Sequence, residues 1–246
     1  MTLYNDNYER VIPRLGFVDA VISDPPYAIT KARCDSAFNM PLFWNLIETV
    51  KTSPHTPVVL FCGQPFTTDL INSNREQFKY CWYWVKNTMT SFANAWKMPM
   101  RRLEEIAVFY EKQPVYNQNL RYSQKLKDGA PEYHKKSEMY AGNKKIIVKK
   151  SLESVRIYSG YTGFNANVLF FDKPNSTANY HNHPFEKPVD LMEFLIDTYT
   201  DKGGVVLDPF MGTGSTGVAC KHTGRDFIGI EVNRSFFDIA KNRVME

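Results

Sequence analysis

The sequence predicts an α/β fold: a mostly parallel sheet with helices on both faces. Three observations carry this. Short, unbroken apolar runs recur along the chain, segments with helical spacing separate them, and a glycine-rich turn joins one apolar run to a helix. Strands buried on both faces read as continuous apolar runs, and their alternation with helices is the mark of parallel crossover connections. With 246 residues, 43% hydrophobic and 23% charged, the chain can bury a sizeable core, and disordered or collagen-like chains are excluded. No run of 18 apolar residues is present, so no transmembrane helix is expected.

Asp19–Ser23 is a short apolar run stopped by two prolines, which predicts a buried strand with an abrupt end. Phe43, Trp44, Ile47 and Val50 recur near helical spacing. Pro57–Cys62 reads as a second buried strand halted by Gly63, Pro65–Arg75 as a helix, and Tyr80–Val85 and Ile106–Tyr110 as two further strands. From Glu111 to Tyr180 the periodicity fades and Tyr, Asn, Lys and Ser dominate. A stretch that long is a separate small lobe or a segment ordered by a ligand, not a loop inside a compact domain. Order returns with a helical face of Leu191, Phe194, Leu195 and Thr198. Val205–Asp208 is then a strand, a helix runs through Cys220, Phe227–Glu231 is the last strand, and Arg234–Met245 the last helix. The expected organisation is one domain built from residues 1–112 and 181–246, with residues 113–180 inserted.

Charge is unevenly placed. Residues 121–150 hold nine basic side chains against three acidic ones, a balance of +6 that leaves −2 for the rest of the chain. Such a segment fits a polyanion partner or, equally, a solvated loop. The four cysteines, at 34, 62, 81 and 220, include no Cys-x-x-Cys pair, which fits neither a disulfide framework nor a zinc knuckle. Reduced thiols in a cytoplasmic protein are the expectation, and the N-terminal residues lack the features of a secretion signal. His181 and His183 are close together, but no carboxylate or cysteine completes a metal site at suitable spacing, so no metal is expected.

Two segments carry chemistry. The first is Asp208-Pro209-Phe210-Met211-Gly212-Thr213-Gly214-Ser215-Thr216-Gly217, a G-x-G-x-x-G turn between strand and helix, with Glu231 nineteen residues after Gly212. Such a turn admits a nucleotide close to the backbone, and the acid can take two ribose hydroxyls. The pattern fits a dinucleotide or an S-adenosylmethionine-type cofactor without choosing between them. Only 29 residues follow Gly217, too few for the rest of a dinucleotide-binding sheet, so the remaining strands lie upstream and the motif order is permuted. The second segment is Asp24-Pro25-Pro26-Tyr27, just past a strand end. A carboxylate, a fixed carbonyl and an aromatic face are what an exocyclic amino group on a flat base requires.

Together these segments resemble those of the β-class DNA amino methyltransferases, in which an Asp-Pro-Pro-Tyr motif precedes the cofactor glycines. The resemblance spans residues 1–112 and 181–246. It implies a Rossmann-like, seven-stranded, mostly parallel methyltransferase sheet in permuted order that binds S-adenosyl-L-methionine. Carried onto this sequence, it makes Asp24, Pro25, Pro26 and Tyr27 catalytic. Asp208, Phe210, Gly212 and Gly214 would line the cofactor, Glu231 would take its ribose hydroxyls, and Asp6 would stand near its adenine ring. The family's His-Pro-x-x-Lys-Pro element is intact as His183 to Pro188, placing His183, Lys187 and Pro188 at the cofactor, with Lys187 facing its carboxylate.

The resemblance also implies site-specific DNA methylation, and the lysine-rich insert becomes a small basic recognition lobe. Lys125, Lys127, Lys135, Lys136, Lys144 and Lys145 would meet phosphates, and Asn117, Gln118, Asn119 and Gln124 could read base edges. Phe92, Trp96, Arg101 and Arg102 are further DNA-facing candidates. Because Asp leads the motif, adenine is the expected target, with cytosine N4 as the alternative. No Pro-Cys pair is present, which disfavours methylation at cytosine carbon 5. An RNA amino methyltransferase, an inactive DNA-binding relative and a nicotinamide-dependent oxidoreductase are further alternatives; the last leaves Asp24 to Tyr27 idle. A homodimer would let so compact a chain embrace DNA.

Overall fold

The computed structural model of the chain describes residues 1–27, 38–90, 92, 95–118, 138–141, 144–147, 166–173 and 186–245. His181, His183, Cys34, Lys125, Lys127, Lys135 and Lys136 lie outside the described residues, as do the side chains of Lys144 and Lys145. In chain order the elements are β1 (Thr2–Tyr4), α1 (Tyr8–Val11), β2 (Ala20–Ser23), α2 (Met40–Val50), β3 (Val58–Cys62), α3 (Phe66–Ser73), β4 (Phe78–Thr90) and β5 (Arg101–Phe109). They continue with β6 (Glu138–Ala141), β7 (Lys144–Ile147), β8 (Val168–Phe170), α4 (Val189–Tyr199), β9 (Val205–Asp208), α5 (Ser215–Thr223), β10 (Asp226–Ile230) and α6 (Arg234–Met245).

The chain divides into two compact units, residues 1–117 with 167–246, and residues 118–166. The larger unit carries an eight-stranded sheet in the order β1-β10-β9-β2-β3-β5-β4-β8. β5 runs antiparallel to both its neighbours, and every other pairing is parallel. The sheet is the expected mixed α/β type with one strand more than the seven implied, the extra being the three-residue β8 beside β4. Within the smaller unit, β6 and β7 form an antiparallel hairpin.

Both faces of the sheet are covered, and the two-residue period of a strand shows how. Cys81 and Trp82 are adjacent on β4 and so point to opposite faces. Cys81 joins a core cluster with Val21, Leu60 and Phe109, closed by Phe43, Trp44 and Ile47 of α2. On the other face Trp82 meets Phe194 of α4 edge-on at 5.3 Å and donates its indole N–H to the Tyr199 hydroxyl at 2.7 Å. Helix starts are fixed locally: Asn7 and Asn39 accept backbone N–H groups at the first turns of α1 and α2.

Topology places the site. From β9 the chain moves outward through β10, which pairs with β1; from β2 it moves the other way through β3. The carboxyl ends of the adjacent β9 and β2 therefore form the switch point at which an open α/β sheet leaves a crevice for a ligand. The glycine turn follows β9, and Asp24-Pro25-Pro26-Tyr27 follows β2.

Candidate active site

Asp208 ends β9 and is almost wholly buried. Ser23, the last residue of β2, donates its hydroxyl to Asp208 Oδ1, which also accepts the Phe210 N–H at 3.1 Å; Thr216 of α5 donates to Oδ2 at 2.5 Å. Burial pushes this carboxyl up to about 6, against the pull of its three donors. Asp208 thus braces the two strand ends and the start of α5 against one another.

The turn after it is shaped by glycine. Gly214 lies at φ +85°, in the left-handed region, and begins α5. A Cβ on Gly217 would stand 2.7 Å from the Phe227 ring and from Val244, so its absence lets α5 lie directly on β10 and α6. Glu231, just past β10, accepts the Gly212 N–H at 3.0 Å and the Asn233 N–H at 2.7 Å, and burial raises its proton affinity. Asn5 binds the Glu231 carbonyl at 2.8 Å, which brings the loop carrying Asp6 to the same strand end. Asp6 itself accepts the Asn7 N–H at 2.8 Å and pairs with Arg10 at 3.5 Å. Phe210 packs against Tyr8 at 4.9 Å and Phe38 at 5.8 Å. A tight glycine turn, a half-buried carboxylate beside it and an aromatic wall together suit an adenosine-bearing cofactor.

Across the switch point, Asp24 accepts the Tyr27 hydroxyl at 2.6 Å, while the Tyr27 ring stacks on Phe66 at 4.9 Å. Lys187 Nζ lies 2.7 Å from Asp24 Oδ2 and 2.6 Å from Glu104 Oε1, above the Phe61 ring at 4.9 Å. Glu104 is also ion-paired with Lys86. The result is a chain of alternating charge, Asp24–Lys187–Glu104–Lys86, drawn from four separate parts of the sequence. Side-chain exposure is 26% at Asp24 against 16% at Lys86, 11% at Lys187 and 10% at Glu104, so Asp24 is the most exposed member.

Burial and the nearby Glu104 raise the Asp24 proton affinity against the pull of Lys187. At Glu104 the burial effect is outweighed by Lys187 and Lys86, which hold it ionised. Burial disfavours the Lys187 charge, but its two carboxylate partners outweigh this and keep it protonated. Next in the chain, buried Glu186 takes Ser215 at 3.3 Å and Arg243 at 2.8 Å, and buried Pro188 opens α4.

Several groups that sequence reasoning missed or placed elsewhere thus matter. Glu104 and Lys86 enter the cluster through cross-strand register; the available signal was a charged residue in phase with the apolar face of Ile106 and Val108. Lys187, expected at the cofactor, has Asp24 and Glu104 as its partners here. Asn117, offered as a base reader, gives its amide N–H groups to the carbonyls of Asp197 at 3.0 Å and Thr200 at 3.3 Å, at the end of α4. Phe92, Trp96, Arg101 and Arg102 lie on the β4–β5 hairpin, with Arg102 Nε donating to the Lys86 carbonyl at 2.7 Å. Cys62, Cys81 and Cys220 are buried free thiols, and burial pushes Cys62 up to about 12 and Cys81 to about 11, which makes them poor nucleophiles. Among the described residues no group of three or more His, Cys, Asp or Glu could hold a metal, and no helix is long and apolar enough to cross a membrane.

A permuted, mostly parallel sheet with a glycine turn and a rigid Asp-Pro-Pro-Tyr acceptor side by side at its switch point defines a Rossmann-like methyltransferase. The chain belongs to the DNA methylase family of N6-adenine and N4-cytosine amino methyltransferases, whose model matches residues 18–242. It is 24% identical to the Type II methyltransferase M.HpaI of Haemophilus parainfluenzae over 237 residues, 92% of this chain and 68% of that protein. Over 80 residues, 32% of this chain and 25% of the relative, it is 47% identical to the Type II methyltransferase M.HindIII of Haemophilus influenzae. Among solved structures, the M1.HpyAVI–SAM complex superposes with a TM-score of 0.62 at 25% identity, covering 98% of both chains. The cytosine-N4-specific PvuII DNA methyltransferase shares the fold, with a TM-score of 0.67 at 14% identity over 99% of this chain and 86% of that one. S-adenosylmethionine is the ligand of that M1.HpyAVI complex.

Proposed function

We propose that the chain methylates the exocyclic N6 amino group of adenine within a specific DNA sequence. The observation that carries this is the placement of Asp24 and Pro25 at the carboxyl end of β2, directly beside the glycine turn after β9. When bound, S-adenosylmethionine supplies an electrophilic methyl group. Glu231, Phe210, Gly212, Gly214 and Asp6 would hold its nucleoside part, Asp208 would brace that wall, and His183, Lys187 and Pro188 would border its amino-acid end.

The chain's own work is done on the base. An amino nitrogen conjugated to the ring is a weak nucleophile. Asp24 accepts one of its hydrogens and the Pro25 carbonyl the other, which draws the lone pair back onto nitrogen. Pro26 stiffens the turn, Tyr27 offers a face for the ring, and positioning lowers the remaining barrier. Asp24, with its raised proton affinity, is suited to receive the proton that the amino group sheds. The target base must leave the duplex, at a cost of a few kcal/mol offset by contacts to protein.

Adenine is favoured because Asp leads the acceptor motif. Ser23, the neighbouring hydroxyl, is committed to Asp208. A local match supports the choice: the chain is 40% identical over 65 residues to the DNA adenine methyltransferase YhdJ of Escherichia coli. Residues 113–180, containing the compact 118–166 unit, serve as the target recognition region through Lys125, Lys127, Lys135, Lys136, Lys144 and Lys145. Phe92, Trp96, Arg101 and Arg102 also face DNA. The buried free thiols suit a cytoplasmic setting.

Transfer of labelled methyl groups into mixed-sequence DNA, followed by digestion to nucleosides and mass analysis, tests the proposal. N6-methyladenine is the expected product. N4-methylcytosine would overturn the base assignment, and absence of transfer would overturn the reaction.

A further inference from the structure

The β4–β5 hairpin is rooted in the site and reaches beyond it. Cys62, the last residue of β3, pairs with Glu105 of the antiparallel β5, so Arg101–Glu104 project past the carboxyl ends of β3 and its parallel neighbour β2. That is the edge on which Asp24 stands. At the root of the arm, Glu104 and Lys86 belong to the ion-pair chain that ends at Asp24. Three residues on, at the Thr90–Arg101 pair, the strands stand about 10 Å further out, and the tip lies beyond.

The tip is built for a partner. Trp96 is 100% exposed and Phe92 69%, with Met89 and Met98 also exposed close by. Residues 87–103 contain Lys97, Arg101 and Arg102 and no acid. Large flat apolar groups among cations match nucleic acid, whose bases stack on aromatic rings and whose phosphates attract the flanks. A second copy of the same arm would bring like charges together.

We propose that Phe92 and Trp96 enter the DNA base stack where the target base leaves it, while Lys97 and Arg101 hold the adjoining phosphates. The proposal rests on the methyltransferase reading above. A flipped nucleotide stays attached to its strand, so with the base at Asp24 the vacated step lies within reach of an arm rooted in the same cluster. Apolar wedges of this kind hold unstacked steps open.

The test uses the full-length chain and a duplex oligonucleotide bearing the sequence that the wild-type protein methylates in plasmid DNA. Single-turnover transfer is compared for wild type, Trp96→Ala and Trp96→Phe on two substrates: the matched duplex, and one whose target base faces an abasic site. A matched duplex with 2-aminopurine at the target position reports unstacking by fluorescence. Trp96→Ala should slow transfer on the matched duplex by about tenfold or more and weaken the 2-aminopurine signal. Its rate should recover on the abasic-opposed duplex, and Trp96→Phe should stay close to wild type. Equal rates for wild type and Trp96→Ala on the matched duplex, or an equal loss on both substrates, would overturn the wedge. So would a change in sedimentation with transfer intact, which would assign the tip to a second copy. If the wild type methylates no DNA, the underlying reading fails and the wedge with it. With Trp96 fully exposed, the melting temperature should be unchanged in either variant.

Discussion

Asp24 and Asp208 stand at neighbouring strand ends and do opposite work. Asp24 faces outward and is the proposed acceptor, so Asp24→Ala should abolish methyl transfer while isothermal titration still shows S-adenosylmethionine binding; loss of binding would mean the two motifs are misassigned. Asp208 faces inward. Folding raises its pKa from the ordinary carboxyl value to about 6, so the folded state holds this proton more tightly than the unfolded chain. The stability it contributes is fully present below about pH 4 and is lost as pH rises to about 6, a swing of up to about 3 kcal/mol. Chemical denaturation of Asp208→Asn across that range should show a flatter pH dependence than wild type; an unchanged slope would refute the assignment. Glu104 acts through Lys187. In Glu104→Gln the lysine loses a charged partner and bears more strongly on Asp24, so kcat should fall about tenfold with little change in KM for DNA. Asp24 was legible in the sequence because its prolines mark it locally. Glu104 was not, because its place depends on pairing with Trp84 across one strand boundary and on the position of Lys187 across another.

At the scale of elements, the runs that read clearly were those whose neighbours leave them no choice. β2, β3 and β9 are buried on both faces, and their unbroken apolar residues say so. β1 and β8 have three residues each and become strands only through parallel partners, Thr2 with Ile228 and Val168 with Tyr83, a tertiary effect with no local trace. The apolar signal of β4 and β5 ends near Val85 and Ile106, yet the strands run on to Thr90 and back from Arg101, because the arm continues past the core among polar residues. Close packing makes its own prediction. Gly217→Ala would press a methyl against the buried side chains of Phe227 and Val244 and should cost about 1–3 kcal/mol. A thermal melt should show the loss, together with weaker cofactor binding as the turn is pushed from β10.

For the molecule as a whole, charge is unevenly divided, with +6 over residues 121–150 against −2 for the rest of the chain, and the proposed function uses the basic stretch on DNA. Replacing Lys125, Lys127, Lys135, Lys136, Lys144 and Lys145 with glutamine should flatten the dependence of log affinity on log salt by about 0.9 for each phosphate no longer neutralised, and leave cofactor binding intact. Fluorescence anisotropy with labelled duplex at several salt concentrations would measure it, and an unchanged slope would remove the insert from the DNA interface. The permuted sheet carries a consequence in time. β1 pairs with β10, and β2 takes its second neighbour from β9, so the earliest strands to leave the ribosome wait for the last ones. Asp24 and Glu231 come to the same edge of one sheet only after residue 231 has emerged. A nascent chain therefore cannot complete the sheet before its last strand has emerged, and under the proposed function it would gain activity only then.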